Sequence, residues 1–533
     1  MLRWGSVPAL NEKLHHNLMC TNSHHIKFLL ESLECTLLSS VDNAQIRGIA
    51  MDWREVEQGW LFVARKQYFG NTHAHIRDAL ERGASACLLS QIPDDLGDIL
   101  NAYPRACIYL APVEDPVLAE VCSRFFGHPT RDIQVFGITG TNGKTTTASI
   151  LYFFLELIGR KPAMILTTGG YFAGTRYEMH NTTPDALYLQ RFAAMVKEAG
   201  ADCLIYEVSS HGLEIGRVHG VVFNHVAFTN LSREHLDFHA DMGAYARAKS
   251  FLFNRFLRDA RALGQPTTAI INIDDSWGQW MLAQSGAERS ITFALRSSSN
   301  VVRKNHLELE LLSVNGFDGC TLSLHYNAEQ HNFDSPLIGA MNRANLGVAL
   351  ALLLGAYPSV ELSAVLGAFK RFEPPLGRCQ RVYASEFRRG VFIDYAHTPE
   401  ALRELLRSFK ELAMGAITLV FGAGGERDRG KRARMGAVAQ EYADFVILTN
   451  DNPRNEEAER ILDDIASGFD AKRAMPVLMR IPDREQAIGA ALRVSDSGPV
   501  IIAGKGHERV QIIGDERKPF SDFEVLGSLL HES

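Results

Sequence analysis

The stretch Val135–Thr147, VFGITGTNGKTTT, predicts a strand, a tight turn and a helix in succession. It begins as an apolar run, continues through a glycine-rich turn and leads into a predicted helix. This order lets backbone N–H groups and a helix N-terminus surround an anion. Lys144 is placed to reach the β- and γ-phosphates of a nucleotide, and the Thr145 hydroxyl is placed to hold Mg²⁺. The stretch therefore predicts a nucleotide phosphate site at the end of a strand.

The glycine spacing departs from the general phosphate-loop pattern. Gly-x-x-x-x-Gly-Lys-Ser/Thr requires glycine at position 138, where this chain has isoleucine. The alternative is an ordinary glycine-rich turn with an exposed lysine. The Gly143-Lys144-Thr145 triplet favours phosphate binding, because it stands where the phosphate-loop mechanism requires it.

The rest of the chain alternates strand-like and helix-like patterns. Its 533 residues are too many for one hydrophobic core. Short apolar runs such as GWLFVA, DCLIYEVSS, HVAFTNLS, GVFIDYA and PVIIAGKG are separated by helical periodicity, which is typical of βαβ units. EPPLGR, with two prolines and a glycine, suits a linker. We predict an α/β protein of three domains in series, at residues 1–130, 131–374 and 375–533.

Composition excludes several classes of function. The net charge of −7 argues against a nucleic-acid partner. No apolar run is long enough to cross a membrane, and the longest ones, 346–357 and 150–158, suit core helices. Residues 1–18 do not form a signal peptide pattern. Eight cysteines without paired spacing indicate reduced thiols, so we expect a cytoplasmic protein without nucleic-acid or membrane partners.

Five motifs together resemble a known family. GTNGKTT, NTTPDAL, DYAHTP, DNPR and GKGHE stand in this order along the chain. They resemble the Mur ligases, ATP-dependent amide-bond-forming enzymes of peptidoglycan synthesis, and most closely the UDP-N-acetylmuramoyl-tripeptide synthetases. The resemblance implies an N-terminal UDP-binding domain, a central ATPase domain with a phosphate loop and parallel sheet, and a C-terminal Rossmann-like domain for the incoming amino acid. ATP and Mg²⁺ are the implied cofactors.

The resemblance implies an ATP site built from distant segments. Its residues are Gly140, Thr141, Asn142, Gly143, Lys144, Thr145, Thr146, Asn345, Arg378, Asp394 and His397. Asp394 is a natural acceptor for ribose hydroxyls. As alternatives, Asn342 and Asn345 could simply cap a helix, and HTPEAL could be a capped helix start whether or not it binds.

The resemblance also implies catalytic and metal-binding residues. They are Lys144, Thr145, Glu207, His235 and Lys249, of which all but Lys144 are implied metal ligands. An alternating pattern of side chains that can bind metals is formed by His235, Asp237 and His239. The resemblance favours only His235 as a metal ligand. Lys249 could be a surface lysine with a buried stem. In the family the matching lysine is carbamylated, which turns a cation into a carboxylate-like ligand.

Two further sets of residues are implied to bind the substrates. Asn181, Thr182, Thr183, Ser209 and Arg217 match contacts to UDP-N-acetylmuramoyl-dipeptide. Ile215 stands where the family often has glutamine, and Thr183 or Asp185 could instead cap a helix that starts at Pro184. Arg427, Asp451, Asn452, Pro453, Arg454, Gly504 and Glu508 match contacts to the added amino acid.

The DNPR motif indicates which amino acid is added. meso-Diaminopimelate differs from lysine by a distal carboxylate, which the guanidinium of Arg454 can hold through two parallel hydrogen bonds. A buried arginine without that partner would disfavour lysine. Related motifs also occur in family members that accept lysine or ornithine, which stays an alternative.

The resemblance thus implies a monomeric ligase that acts on small molecules through an acyl phosphate. Two rival functions are a sister ligase such as folylpolyglutamate synthetase, which lacks the later motifs, and a non-catalytic nucleotide-binding protein. The N-terminal region departs most from the family, with Asp52-Trp53-Arg54 in place of Asp-Ser-Arg and Asn71-Thr72 in place of Asp-Gly. No uridine-binding residues are assigned for that reason.

Overall fold

A computed structural model describes residues 23–67, 70–112, 115–179, 181–236, 238–295, 305–382, 390–412, 415–474, 476–494 and 498–531. Three main sheets follow one another along these residues. Within the same residues, no helix is both long enough and apolar enough to cross a membrane. The described cysteines are free thiols.

The N-terminal sheet is a small, largely parallel sheet. The strands of this part are β1 His24–His25, β2 Thr36–Leu37, β3 Gln45–Ile46, β4 Gly48–Ala50, β5 Trp60–Ala64, β6 Lys66–Gln67, β7 Gly70–Asn71, β8 Ala86–Leu89 and β9 Cys107–Leu110. The helices are α1 Ile26–Leu30, α2 Ile76–Glu81, α3 Leu96–Ala102 and α4 Asp115–Phe125. The sheet order is β2-β9-β8-β5-β4, in which β4, β5, β8 and β9 run parallel. Apolar clusters cover both of its faces.

The central sheet contains the glycine-rich stretch Val135–Thr147. Its strands are β10 Gln134–Thr139, β11 Pro162–Leu166, β12 Gly169–Phe172, β13 Thr175–Tyr177, β14 Cys203–Glu207, β15 His225–Phe228, β16 Thr268–Asn272, β17 Arg289–Leu295, β18 His306–Val314, β19 Cys320–Tyr326 and β20 Glu329–Ser335. The order is β13-β12-β11-β14-β10-β15-β16-β17-β18-β19-β20. Strands from β11 to β18 in this order are parallel, and antiparallel strands extend both edges.

Helices cover both faces of the central sheet. They are α5 Lys144–Leu157, α6 Ala186–Glu198, α7 Ser210–Glu214, α8 Met242–Phe251, α9 Leu257–Ala262, α10 Gly278–Ala283, α11 Ala340–Ala356 and α12 Leu362–Ala368. Phe136 and Ile138 of β10 pack with α5 and α11, whereas Val135 packs with α6 and α8 on the other face. Successive strand side chains alternate between faces, so a strand covered on both sides must be apolar throughout. The two long apolar runs are the core helices α5 and α11, as predicted.

The C-terminal sheet is again a covered parallel sheet. Its strands are β21 Gln380–Val382, β22 Val391–Asp394, β23 Thr418–Phe421, β24 Phe445–Leu448, β25 Val477–Arg480 and β26 Val500–Ala503, followed by a hairpin of β27 Val510–Ile513 and β28 Glu516–Pro519. The helices are α13 Pro399–Glu411, α14 Gly430–Tyr442, α15 Ala458–Ala466, α16 Arg484–Val494 and α17 Asp522–His531. The order is β21-β22-β26-β23-β24-β25, with only β21 antiparallel.

The predicted strands quoted from the sequence are therefore confirmed, and so is the α/β class. The three sheets lie within residues 36–110, 134–335 and 380–503. The domain boundaries after residues 130 and 374 stay predictions.

Candidate functional site

The phosphate loop joins β10 to α5 and is fixed by its neighbours. Gly143 precedes the helix with a φ of 87°, and the Lys144 ammonium donates to the carbonyls of Gly140 and Thr141 at 2.9 Å each. The Asn142 N–H donates to Asn230 Oδ1 at 2.9 Å, just beyond the end of β15. Lys144 is half-buried, and burial lowers its pKa. Lys144 is therefore not the exposed lysine of the alternative, and phosphate binding by this turn stays a prediction.

A cavity of about 250 Å³ lies against this loop and reaches the C-terminal sheet. Its walls contain every residue predicted for ATP except Gly140, together with four residues of the other predicted sets. These four are Thr182, Glu207, Ser209 and His235. The cavity thus gathers side chains that are more than 250 positions apart in the sequence, from Thr141 to His397.

Glu207 ends β14 with a fully buried carboxylate. Its Oε2 accepts from the backbone N–H and the hydroxyl of Thr167, at 3.2 and 2.7 Å. Its Oε1 is buried and makes no hydrogen bond within the described residues. An unpaired buried carboxylate oxygen is costly unless a cation approaches it. Glu207 and the nearby Thr145 hydroxyl therefore fit a divalent cation such as Mg²⁺.

The described residues supply few other metal ligands. Among them, no three His, Cys, Asp or Glu side chains lie together as a metal site. A cation here would therefore depend on hydroxyl and nucleotide oxygens besides Glu207. His235 has a φ of 57° and packs its ring 4.8 Å from that of His211. Asp237 lies outside the described residues, and the buried His239 ring nitrogen Nε2 lies 3.0 Å from the Ser210 hydroxyl.

Glu234 is a member of the site that the sequence analysis missed. It lines the cavity, with Oε2 3.8 Å from His235 Nε2 and Oε1 3.9 Å from His397 Nε2. Its carboxylate thus stands between the central sheet and the C-terminal sheet. The run of polar residues after β15 was the available signal, since ligands bind beyond the carboxyl ends of parallel strands.

Lys249 lies on α8 and is 1% exposed. Its ammonium donates to the Gly140 carbonyl at 2.9 Å and stands 4.6 Å from the centre of the Tyr245 ring. Burial, and secondarily the nearby charge of Lys144, hold the pKa of Lys249 well below its ordinary value. The alternative of a surface lysine is wrong.

The residues predicted for the dipeptide substrate divide into two groups. Thr182 and Ser209 line the cavity, and Asn181 is exposed. Thr183 lies behind them: its hydroxyl donates to the Glu207 carbonyl and accepts from the Ser209 N–H, both at 3.0 Å. Arg217 donates to the Thr183 carbonyl at 2.9 Å. Thr183 and Arg217 thus stabilise the wall of the cavity by hydrogen bonds and do not line it.

The capping alternatives have mixed outcomes. Asp185 caps α6 by accepting from the Tyr188 N–H at 2.9 Å, so that helix begins after Asp185 and not at Pro184. Thr398 caps α13, as the alternative for HTPEAL expected. Asn345 does not cap α11, because that helix begins after Gly339.

The residues of the C-terminal sheet that are predicted to bind ATP make hydrogen bonds and stacking contacts with neighbouring loops. Asp394 accepts from the N–H groups of Cys379 and Ala396, at 2.6 and 2.7 Å, and its burial raises its pKa. The Arg378 guanidinium stacks 4.6 Å from the centre of the Tyr395 ring and donates to the Thr145 hydroxyl at 3.3 Å. Arg378 therefore connects the linker with the phosphate loop.

The residues predicted to bind the added amino acid are called the acceptor residues here, and together they form the acceptor site. They follow three strands that are neighbours in the sheet, β26, β23 and β24. Asn452 donates to Glu508 Oε2 at 2.9 Å. A Cβ on Gly504 would lie 2.9 Å from Asp451 Oδ2, so the two loops are in close contact. Arg454 donates to the Gly425 carbonyl at 2.6 Å.

The two arginines of this group differ in exposure. A Cβ on Gly424 would lie 3.2 Å from Arg454 Nη1 and 3.6 Å from Arg427 Cγ, so both flank one loop. Arg427 is exposed, and Arg454 is half-buried and not buried as the sequence analysis assumed. The carbonyl of Pro453 lies 1.9 Å from where a Cβ on Gly425 would be, which explains that glycine.

Comparisons with known proteins identify the family of this chain. Residues 138–353 match the Mur ligase middle domain, and residues 377–506 match the Mur ligase, glutamate ligase domain. The chain is 34% identical over 94% of its length to the UDP-N-acetylmuramoyl-L-alanyl-D-glutamate–2,6-diaminopimelate ligase of Syntrophomonas wolfei subsp. wolfei, covering 98% of that protein. It is 38% identical over 93% of its length to the protein of the same name from Alkalilimnicola ehrlichii, covering 97% of it.

A solved structure of a UDP-N-acetylmuramoyl-L-alanyl-D-glutamate–2,6-diaminopimelate ligase superposes with a TM-score of 0.66 at 29% identity. The match covers 96% of this chain and 99% of the solved one. Identity above 30% to relatives that are covered almost completely, together with the match to both domains, shows the family. The chain belongs to the Mur ligase family.

Proposed function

We propose that this protein is an ATP-dependent ligase that joins meso-diaminopimelate to UDP-N-acetylmuramoyl-L-alanyl-D-glutamate. The names of its relatives support this substrate pair. The observation that carries the proposal is the cavity, which combines the phosphate loop with Arg378, Asp394 and His397 of the following sheet. A site of this composition can hold ATP between two domains.

The reaction requires two successive bond exchanges. The substrate carboxylate attacks the γ-phosphorus of ATP, ADP leaves, and an acyl phosphate forms. The amine of the amino acid then attacks the acyl carbon, phosphate leaves, the amine loses a proton and the amide remains. Such chemistry depends on positioning and charge stabilisation.

The side chains of the cavity suit these steps. Lys144 begins α5 and would turn from the loop carbonyls to the nucleotide phosphates. Glu207 and Thr145 would hold Mg²⁺, which supplies positive charge to the phosphate oxygens. Thr182 and Ser209 line the same cavity and would receive the dipeptide end of the UDP substrate.

We further propose that Lys249 carries a carbamate. The reaction joins the neutral amine nitrogen to the carbon of CO₂ and releases a proton. Burial beside Lys144 supports the proposal, because it favours the neutral amine. The product would present oxygens beside the Gly140 carbonyl, where we propose that they add a metal ligand to Glu207.

The acceptor loops would hold the amino acid. Asp451, Asn452 and Glu508 offer acceptors for its ammonium groups, and Arg427 and Arg454 offer guanidinium groups for its carboxylates. Addition of lysine or ornithine by the same site is the alternative. The cytoplasmic location and the monomeric state stay predictions.

The test is ADP release with one component omitted at a time. The proposal expects ADP only when ATP, Mg²⁺, the UDP-linked dipeptide and meso-diaminopimelate are all present, since the acyl phosphate must be protected from water. Rapid ATP hydrolysis by the protein alone would contradict a ligase. No ATP turnover with the complete set would leave the non-catalytic nucleotide-binding protein as the better interpretation.

A further inference from the structure

Lys505 is a fully buried lysine in the loop after β26. Its ammonium donates to Glu508 Oε2 at 3.0 Å, to the Val510 carbonyl at 2.8 Å and to Asn452 Oδ1 at 3.3 Å. These three acceptors match the three N–H donors of the group. A lysine is almost never fully buried unless it is paired in this way.

The network fixes the orientation of Asn452. Its Oδ1 accepts from Lys505 and from the Ile512 N–H at 2.9 Å, and its Nδ2 donates to Glu508 Oε2 at 2.9 Å. Lysine and backbone N–H groups can only donate. If the carboxamide were rotated by 180°, its NH₂ group would face the two N–H donors of Lys505 and Ile512, and its oxygen would face the Glu508 carboxylate. All three hydrogen bonds would then be lost.

The same network forms hydrogen bonds to one carboxylate oxygen of Glu508 and none to the other. Oε2 accepts from both Lys505 and Asn452. Oε1 makes no hydrogen bond to any described residue, and the side chain is 30% exposed. An ammonium group of the amino acid can therefore approach Oε1 without breaking an existing contact.

The hairpin β27–β28 extends this support to the remaining acceptor residues. Gln511 donates to the Asp451 carbonyl at 2.9 Å. The Arg454 N–H donates to the Ile512 carbonyl at 3.0 Å, and its carbonyl accepts from the Gly514 N–H at 2.8 Å. Arg454 has a φ of 52°, a strained value for a side-chain-bearing residue, and these two bonds hold it there.

We infer that Lys505 is a positioning residue of the acceptor site, which sets the orientation of Asn452 and Glu508 and so the affinity for the amino acid. It touches no reacting atom and acts through these two side chains. The inference rests on the proposed function, because it assigns a role within the proposed acceptor site.

The flanking glycines explain how a lysine in a loop becomes buried. Gly504 and Gly506 have φ values of 112° and 52°, and a Cβ on Gly506 would lie 2.7 Å from the Cβ of Tyr395. Backbone in the left-handed region turns the chain sharply on both sides of Lys505.

The test is Lys505→Met, which keeps the stem and removes the charge. We expect the KM for meso-diaminopimelate to rise by about 10- to 100-fold, the range for losing a charged hydrogen-bonding partner. The KM values for ATP and for the UDP-linked dipeptide should stay within about twofold, because among the described residues the Lys505 ammonium bonds only Asn452, Glu508 and Val510, none of which lines the cavity. Lys518→Met is the matched control, since Lys518 is an exposed lysine on β28 of the adjoining hairpin, and it should behave as the unmodified enzyme.

Two outcomes overturn the inference: an unchanged KM for the amino acid, or an equal rise in the KM of all three substrates, which would indicate a merely structural role. If Lys505→Met does not fold, a structure of the unmodified enzyme with meso-diaminopimelate decides. Lys505 should then still contact Glu508 Oε2 and Asn452 Oδ1, with the ligand on Glu508 Oε1, and direct contact of Lys505 with the ligand would refute the role. An unmodified enzyme that forms no amide refutes the proposed function instead.

Discussion

At the scale of single residues, burial changes the chemistry of the two lysines at the phosphate loop. Lys144 and Lys249 both donate to the Gly140 carbonyl at 2.9 Å. Two ammonium groups around one carbonyl repel each other in a medium of low dielectric constant, which lowers the pKa of Lys249 beyond the effect of burial. The neutral amine that this environment favours at Lys249 is the form that the proposed carbamate requires.

Replacement of Lys249 tests the carbamate. Lys249→Ala should lower kcat by about 100-fold or more, as removal of a group that stabilises transition-state charge does. Acetate or another short carboxylic acid should restore part of the rate, because it supplies the missing oxygens. The measurement is ADP release with increasing acetate. Lys161→Ala, at an exposed lysine, is the control. Near-normal activity of Lys249→Ala would contradict the carbamate.

Arg454 is the residue that we propose to select an amino acid with a distal carboxylate. The unmodified enzyme should prefer meso-diaminopimelate to lysine by at least about 10-fold in kcat/KM, and Arg454→Ala should lose most of that preference. Because Arg454 is half-buried, water can partly satisfy it when lysine binds, so we expect the low end of the range. The measurement is kcat/KM for both amino acids. Equal values in the unmodified enzyme would contradict the role of the DNPR motif.

His225 makes the stability of the central sheet depend on pH. It lies on β15 with both ring nitrogens buried and unpartnered within the described residues, and burial lowers its pKa to about 4. The unfolded chain, with an ordinary pKa of 6.5, binds the proton first. Stability should therefore fall as the pH drops from about 6.5 to about 4, by up to about 3 kcal/mol.

The measurement is the free energy of unfolding in urea at several pH values. His225→Leu should remove this part of the pH dependence, whereas His331→Leu, at a partly exposed histidine of β20, should retain it. The argument would be contradicted if the free energy of unfolding changed with pH in the same way in His225→Leu and in the unmodified protein.

At the scale of elements, the turn between β10 and α5 combines a local and a distant constraint. Gly143 needs glycine for its φ of 87°, which the pattern in the sequence indicated. It also lies against α11: a Cβ at this position would stand 2.0 Å from Asn345 Oδ1. That second constraint could not be predicted, because it joins residues about two hundred positions apart.

Gly143→Ala should therefore damage ATP binding beyond its effect on stability. We expect the KM for ATP to rise by at least about 10-fold, since Asn345 must move out of the cavity wall. Gly159→Ala is a matched control, because Gly159 has a φ of 77° at the other end of α5 with open space around it. It should cost about 1 kcal/mol of stability and leave the KM for ATP unchanged. Equal KM values for the two variants would contradict the argument.

At the scale of the whole molecule, the site exists only where the central and C-terminal sheets meet. Phe317, between β18 and β19, packs 5.3 Å from Phe392 of β22, and Asp318 pairs with Arg381 at 2.8 Å. Arg378 reaches Thr145 from the same linker region. These contacts align the two halves of the cavity.

Arg378→Lys tests this alignment. Lysine keeps the charge but cannot both stack on Tyr395 and donate to Thr145. We expect the KM for ATP to rise by about 10-fold with little change in the KM for the amino acid. The conservative change Arg371→Lys, at an exposed arginine before the linker, should have no effect. Steady-state kinetics with each substrate varied will distinguish these results, and an unchanged KM for ATP in Arg378→Lys would contradict the alignment.

Features that depend on the local order of residues could be predicted from the sequence. The apolar strands, the α/β class, the phosphate loop and the motifs at the strand ends follow from periodicity, glycine placement and short spacing, because these act between near neighbours in the chain. The sequence also identified most of the polar residues that line the cavity.

The burial of these residues and the contacts of each one became known from the three-dimensional structure. Lys249 could be a surface lysine until its neighbours enclosed it, and Thr183 could be a helix cap until β14 supplied its partners. Glu234 and Lys505 contact residues of segments that are distant in the sequence. Burial and long-range hydrogen bonds depend on how the sheets pack against one another, and the pattern along one segment does not contain that information.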